Sequence, residues 1–203
     1  MQKDINYILA GFEKTITERF PQQAAALEQA LQARLSALYA ENADASREKK
    51  RHLERQILPG IAAYETLQAV MPKEEAYQTV HAYVEAHARE ARKSIEKAIR
   101  FPGLYRLVPG AFCLFTHRLF NEAAGFAAVE HQTSGGVWRV DMTKCPYHDT
   151  CVRYGCPELC PCFCDSDDIA YDHLHPKLLW HRTKTLGRGD DCCDFCLRRR
   201  DKA

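Results

Sequence analysis

Leu27, Leu31, Leu35 and Leu38 recur every three or four residues in PQQAAALEQALQARLSALYAE, with Ala24 on the same stripe and Pro21 near the start. This spacing predicts an amphipathic helix over residues 21–41. The stretch before it, MQKDINYILAGFEKTITERF, has a short apolar run flanked by acidic residues and no small-residue cleavage site after it. It is expected to be a further amphipathic helix and not an export signal. A polar break, NADAS, precedes a helix through Leu53 and Ile57, which Pro59-Gly60 should interrupt before Tyr64, Leu67 and Val70. From Met71 to Arg100, Tyr77, Val80, Val84, His87, Ala91, Ile95 and Ala98 share one helical face. Pro72 suits the first turn and Pro102-Gly103 the stop.

The pattern changes after residue 103. AFCLFTHRLFNEA (111–123) reads as a short apolar helix. Phe126–His131 and Val137–Met142 alternate like strands around a Thr-Ser-Gly-Gly turn. KLLWHRTKTL (177–186) and CCDFCLRRR (192–200) read as two more strands joined by GRGDD. Tight turns and not helical crossovers join these strands, so the sheet should be antiparallel with helices on one face. The expected fold is α+β. Residues 1–103 form a helical segment or cap, and 104–203 an α+β part that carries catalysis or ligand binding within one integrated domain.

Composition narrows the function. A chain of 203 residues with 46% hydrophobic residues needs neither disulfides nor a metal in order to fold. A net charge of +1 gives no reason to expect nucleic acid, and no apolar run approaches a membrane span. The absence of an export signal points to a reducing, cytoplasmic setting, where cysteines are catalytic, metal-binding or buried. A small molecule is the expected partner, and the N-terminal helices are candidates for a homo-oligomer contact.

All ten cysteines fall in the second half, six of them within KCPYHDTCVRYGCPELCPCFCDSDD. Their spacing lacks the paired C-x2-C of structural zinc sites and of iron–sulfur runs, and the one C-x2-C, Cys193 to Cys196, has no second pair. At least half of the ten are expected to pack as small apolar side chains. Cys160 and Cys164 should share a helical face that Cys162 does not, and Cys193 should point inward with Phe195 and Leu197. A reactive thiol needs a lowered pKa or a neighbouring base. His148, His173 and the Asp165–Asp168 run are within reach in sequence. His52, His81 and His87 are expected to be structural or solvated.

The order of motifs resembles the L-2-amino-thiazoline-4-carboxylic acid hydrolase family. They are Cys145-Pro146, Gly155-Cys156-Pro157-Glu158, Cys164-Asp165-Ser166-Asp167, Arg182-Thr183-Lys184-Thr185-Leu186, and a closing Gly189 with Cys193-Asp194-Phe195. The likeness runs from about residue 70 to about residue 200. The last motif is also similar to the end of 4-vinyl reductase type ligand-binding domains. The resemblance implies hydrolysis of a small cyclic amidine carboxylate at a carbon bonded to nitrogen and sulfur, giving a carbamoyl amino acid. It implies Cys164 as nucleophile with Cys145 as second choice, Asp167 to activate water or hold the amidine, and His148 or His173 as general acid–base. Arg182 or Arg139 would grip the substrate carboxylate. One alternative is a divalent metal, zinc ahead of manganese or iron, on Cys145, Cys164, Asp167 and His148. Another is a cysteine-rich sensor of metal, redox state or a small molecule, without catalysis. Cys151, Cys156, Cys160, Cys162, Cys192 and Cys196 lie outside the family pattern.

Overall fold

The leucine stripe forms helix α2 (Ala24–Glu41), with Leu27, Leu31, Leu35 and Leu38 all buried. Each such side chain contributes about 1.5–3 kcal/mol when removed from water. The computed structural model describes residues 6–131 and 135–200. Helix α1 (Tyr7–Arg19) lays Ile8, Phe12 and Ile16 on the same core, and Asn6 caps it by accepting from the amides of Ile8 and Leu9.

Where Pro59-Gly60 was expected to interrupt a helix, the chain stays helical from Arg47 to Leu67. Helix α3 (Arg47–His52) runs through one π-helical turn, Leu53–Ile57, into α4 (Leu58–Leu67). Pro59 has no N–H for the carbonyl of Arg55, four residues back. The Leu58 amide reaches past Glu54 to the carbonyl of Leu53. Two carbonyls are thereby orphaned, and the Asn6 side-chain amide approaches both, at 2.9 Å from Arg55 O and 3.5 Å from Glu54 O. A tertiary donor thus replaces the lost helix bonds. Gly60 serves a different need: a Cβ there would lie 2.6 Å from Phe163 Cζ.

Helix α5 (Lys73–Ile99) begins after Pro72, which sits at its N-cap position and not inside the first turn. It packs along α8 (Cys160–Tyr171), which crosses back among the N-terminal helices. Cys151, Cys156, Leu159, Cys160, Cys162 and Phe163 therefore join Leu31, Ile57 and Val80 in one core. Helix α6 runs over Val108–Leu119, and Glu122–Ala124 is a separate 3-10 turn because the Asn121 side chain captures the Ala124 amide. Helix α7 is Pro146–Arg153.

The sheet is antiparallel throughout, in the order β1-β2-β4-β3, with β1 Ala127–Glu130, β2 Val137–Lys144, β3 Leu178–His181 and β4 Cys193–Arg199. This is the expected α+β class. Thr133 and Ser134 of the expected hairpin turn lie outside the described residues. Strand β3 stops at His181, short of the expected Leu186. The Asp194 carboxylate takes the amides of Thr183 and Lys184, and Asp190 takes that of Thr185, which draws these donors off the ladder. Trp138, Val140, Leu178, Trp180 and Leu197 form the inner face. Phe112 of α6 meets the Trp138 and Tyr171 rings edge-on, closing a second core between the sheet and the helices. Among the described residues no helix is long and apolar enough to cross a membrane.

Candidate functional site

Six of the ten cysteines are buried: Cys151, Cys156, Cys160, Cys162, Cys192 and Cys193. The remaining question is which polar groups stay open to a ligand. A cavity of about 370 Å³ lies between α8, α5, the α3–π-turn segment, α1 and the junctions β2–α7 and β4. Helix α8 gives it Cys164, Ser166, Asp167, Ala170 and Tyr171. This is a stripe at helical spacing, so the three-residue separation of Cys164 and Asp167 does place both on one wall. Cys145 enters where β2 ends and Cys193 where β4 begins.

The aspartates of α8 divide by what they face. Asp165 accepts from Arg188 at 2.6 Å and faces His81 Nε2 at 3.2 Å, tying α8 to α5. Asp168 accepts from Trp180 Nε1 at 2.7 Å and from Arg182. Asp167 has only a 3.8 Å pairing with Arg182 Nη1 and turns to the cavity. Burial pushes its pKa up to about 7, with Arg182 opposing the shift and Asp168 adding to it. Its side chain keeps 38% of its surface accessible, so the protein encloses it while the cavity still wets it.

The cavity thiols are shifted the same way. Cys145 is the N-cap of α7, and the Tyr147 and His148 amides point toward its sulfur without meeting it in hydrogen-bond geometry. They favour the thiolate, but burial outweighs them and raises the pKa. Cys164 is raised by the neighbouring Cys160 thiol, 3.9 Å away, and by burial. Cys193, pushed up by burial to about 12, accepts from the Leu186 amide at 3.3 Å and faces inward as expected. These groups are neutral thiols near pH 7.

Several expected site residues lie elsewhere. Arg182 is not in the cavity wall. Its side chain is 3% exposed, bound to Asp168 and to the Cys164 carbonyl at 3.1 Å, and its guanidinium stands 5.4 Å over the Phe195 ring. Its Nη1 is buried without a hydrogen-bond partner. Arg139 points to the outer face of the sheet, opposite Trp138 and Val140. His173 is exposed beside Asp172, and His148 pairs with Asp149 at 3.6 Å; neither lines the cavity. Cys145, Cys164 and Asp167 therefore share the cavity without His148. Among the described residues no group of three or more His, Cys, Asp or Glu side chains is placed to hold a metal ion.

Two histidines expected to be structural or solvated, His52 and His87, line the cavity as well. His52 is held at both nitrogens, Nε2 at 2.8 Å from the Leu119 carbonyl and Nδ1 at 3.2 Å from the Tyr147 hydroxyl, and burial lowers its pKa. His87 stacks on Tyr7 with ring centroids 4.0 Å apart and is also lowered by burial. Its place on the apolar face of α5 was the one signal for it. Arg51, Arg55 and Arg118 complete the polar wall with Glu48 and Gln56.

A family model for L-2-amino-thiazoline-4-carboxylic acid hydrolase matches residues 50–197, which include the whole α8 wall, Cys145 and Cys193 but not α1 or α2. Comparison with curated proteins finds no match. With most of its length and most of its cavity-lining residues inside that match, the chain belongs to the L-2-amino-thiazoline-4-carboxylic acid hydrolase family.

Proposed function

We propose that the protein hydrolyses a small cyclic amidine carboxylate of the 2-amino-thiazoline-4-carboxylate type, with Asp167 as general acid–base. The observation that carries this reading is a cavity-facing carboxylate whose pKa burial pushes up to about 7. A group that is half ionised near neutral pH can take a proton and return it within one turnover. Water adds to the ring carbon between sulfur and nitrogen while Asp167 takes one of its protons. Asp167 passes that proton to the ring nitrogen. As the tetrahedral carbon collapses to a carbonyl and one ring bond breaks, Asp167 takes the hydroxyl proton and delivers it to the leaving atom, so both protons of the water end on the product. One water is consumed. Cleavage at nitrogen leaves an S-carbamoyl cysteine, and cleavage at sulfur an N-carbamoyl cysteine.

A second reading makes Cys164 the nucleophile, because it stands one helical turn from Asp167 on the same wall. Its raised pKa then requires Asp167 to remove the thiol proton first. Assay of the purified protein with L-2-amino-thiazoline-4-carboxylate tests both. Asp167→Asn is expected to lose turnover by about 10²–10⁴-fold. Wild-type protein that forms no carbamoyl product sinks the hydrolase reading. Cys164→Ala that keeps turnover within about tenfold retains the water route, and complete loss in a folded variant favours the thiol.

A further inference from the structure

The cavity draws its polar lining from separate elements. Helix α8 supplies Asp167 and Cys164, the β2–α7 junction Cys145 and β4 Cys193, while α3 with its π-turn supplies Glu48, Arg51, His52, Arg55 and Gln56. Arg118 is added from α6. The π-turn inserts one extra residue into the helix, a feature found frequently at functional sites. It leaves two carbonyls unpaired, and Asn6 fills both from another helix. The chain thus maintains an irregular turn under this wall, with Asn6 as a positioning residue.

None of Arg51, Arg55 and Arg118 forms an ion pair with a described carboxylate, although the molecule pairs Arg19, Arg34, Arg89, Arg92, Arg182 and Arg188. Exposed unpaired arginines are ordinary on a surface. Three in the lining of one small cavity, against two lining carboxylates, Glu48 and Asp167, leave an excess of fork-shaped donors there.

We propose that Arg51, Arg55 and Arg118 form the carboxylate-recognition wall of this cavity. A small ring carboxylate then enters with its carboxylate toward the π-turn and its ring toward Asp167 and Cys164. The orientation of the reacting end rests on the hydrolase reading; the carboxylate wall does not. The role falls to these arginines because Arg182 is buried away from the cavity.

L-thiazolidine-4-carboxylate, which has the ring and the carboxylate but no amidine to hydrolyse, serves as a probe, with its carboxamide as control. Calorimetric titration of the full chain is expected to show the acid binding at least tenfold more tightly than the amide. Arg55→Gln should weaken the acid about tenfold, and the triple variant R51Q/R55Q/R118Q about a hundredfold or more, with the amide unchanged in both and melting temperatures preserved. No binding of the acid to wild type overturns the proposal, as does equal binding of acid and amide or acid binding to the triple variant within twofold of wild type. Turnover is scored separately. If the arginines bind the acid but wild type hydrolyses no thiazoline, the hydrolase reading fails and the carboxylate wall stands.

Discussion

Arg182 Nη1 stands 3.8 Å from Asp167 Oδ2, close enough to feel the carboxylate's charge and too far to donate a hydrogen bond. Arg182 favours the ionised form of Asp167 but does not overcome burial, so the carboxyl titrates near neutrality. Replacing Arg182 with Met removes that support. If turnover needs ionised Asp167, the acid limb of the kcat/KM profile moves to higher pH. The variant should also lose about 2–3 kcal/mol, less than a fully buried pair, because Asp167 and Asp168 keep contact with solvent. A pH–rate profile and a urea titration check the two outcomes, and an unmoved acid limb shows that Asp167 is not the group observed.

Asp167 also makes a stability prediction that needs no substrate. Its folded-state pKa, about 7, lies above the ordinary carboxyl value. Between roughly pH 4 and pH 7 the folded protein therefore holds a proton that the unfolded chain has released, and this group's contribution to stability falls as pH rises. Above about pH 7 the loss is complete and constant. Asp167→Asn should melt close to wild type at pH 4 and progressively higher than wild type up to pH 7, with a level difference beyond. Melting curves across that range suffice, and a constant gap rejects the shifted pKa.

Much of this arrangement was legible in the sequence, where local periodicity decides it. The leucine stripe of α2, the shared wall of Cys164 and Asp167, and the inward turn of Cys193 all follow from spacing. Features set by distant partners were not legible. Pro59-Gly60 reads as a helix break because the rescuing amide belongs to Asn6, some fifty positions earlier. Arg182 reads as an open clamp because nothing local shows that Asp168, the Cys164 carbonyl and Phe195 enclose it. His52 and His87 gain their places only when α3 and α5 close over α8. The shortened β3 reflects the Asp194 side chain competing for amides that a propensity reading assigns to the ladder.

The Asn6 bridge is open to direct measurement. Asn6→Ala removes the α1 cap and the donor to both π-turn carbonyls, and should cost about 1–2 kcal/mol by urea denaturation. Because the turn carries Arg55 and Gln56, affinity for a ring carboxylate should fall as well, while the amide control stays unchanged. Equal loss for acid and amide means that Asn6 supports the cavity as a whole and not the arginine wall.

Gly60 sets how closely α4 meets α8. A Cβ at this position would lie 2.6 Å from Phe163 Cζ and 3.8 Å from Ile8. Phe163 is buried and lines the cavity next to Cys164, so its ring can yield only by intruding on the cavity. Gly60→Ala is expected to destabilise by about 1–3 kcal/mol through overpacking, despite alanine's better helix propensity. A variant as stable as wild type shows that the Phe163 ring can move without cost.

The thiols give the sharpest test of what the cysteines do. Burial raises the pKa of Cys145 and Cys164 although both line the cavity, and Cys151, Cys160 and Cys162 are almost fully enclosed. Alkylation needs the thiolate and access to it. In native protein at pH 7.5, iodoacetamide should reach the half-exposed Cys113 and Cys196 first. Cys145 and Cys164 should follow slowly and speed up only as pH rises well above neutrality. Cys151, Cys160 and Cys162 should remain unlabelled until the protein unfolds. Peptide mapping over time gives the order. Preferential labelling of Cys164 at pH 6–7 requires a thiolate that burial should suppress; it would overturn the neutral-thiol reading and make Cys164, not an activated water, the attacking group.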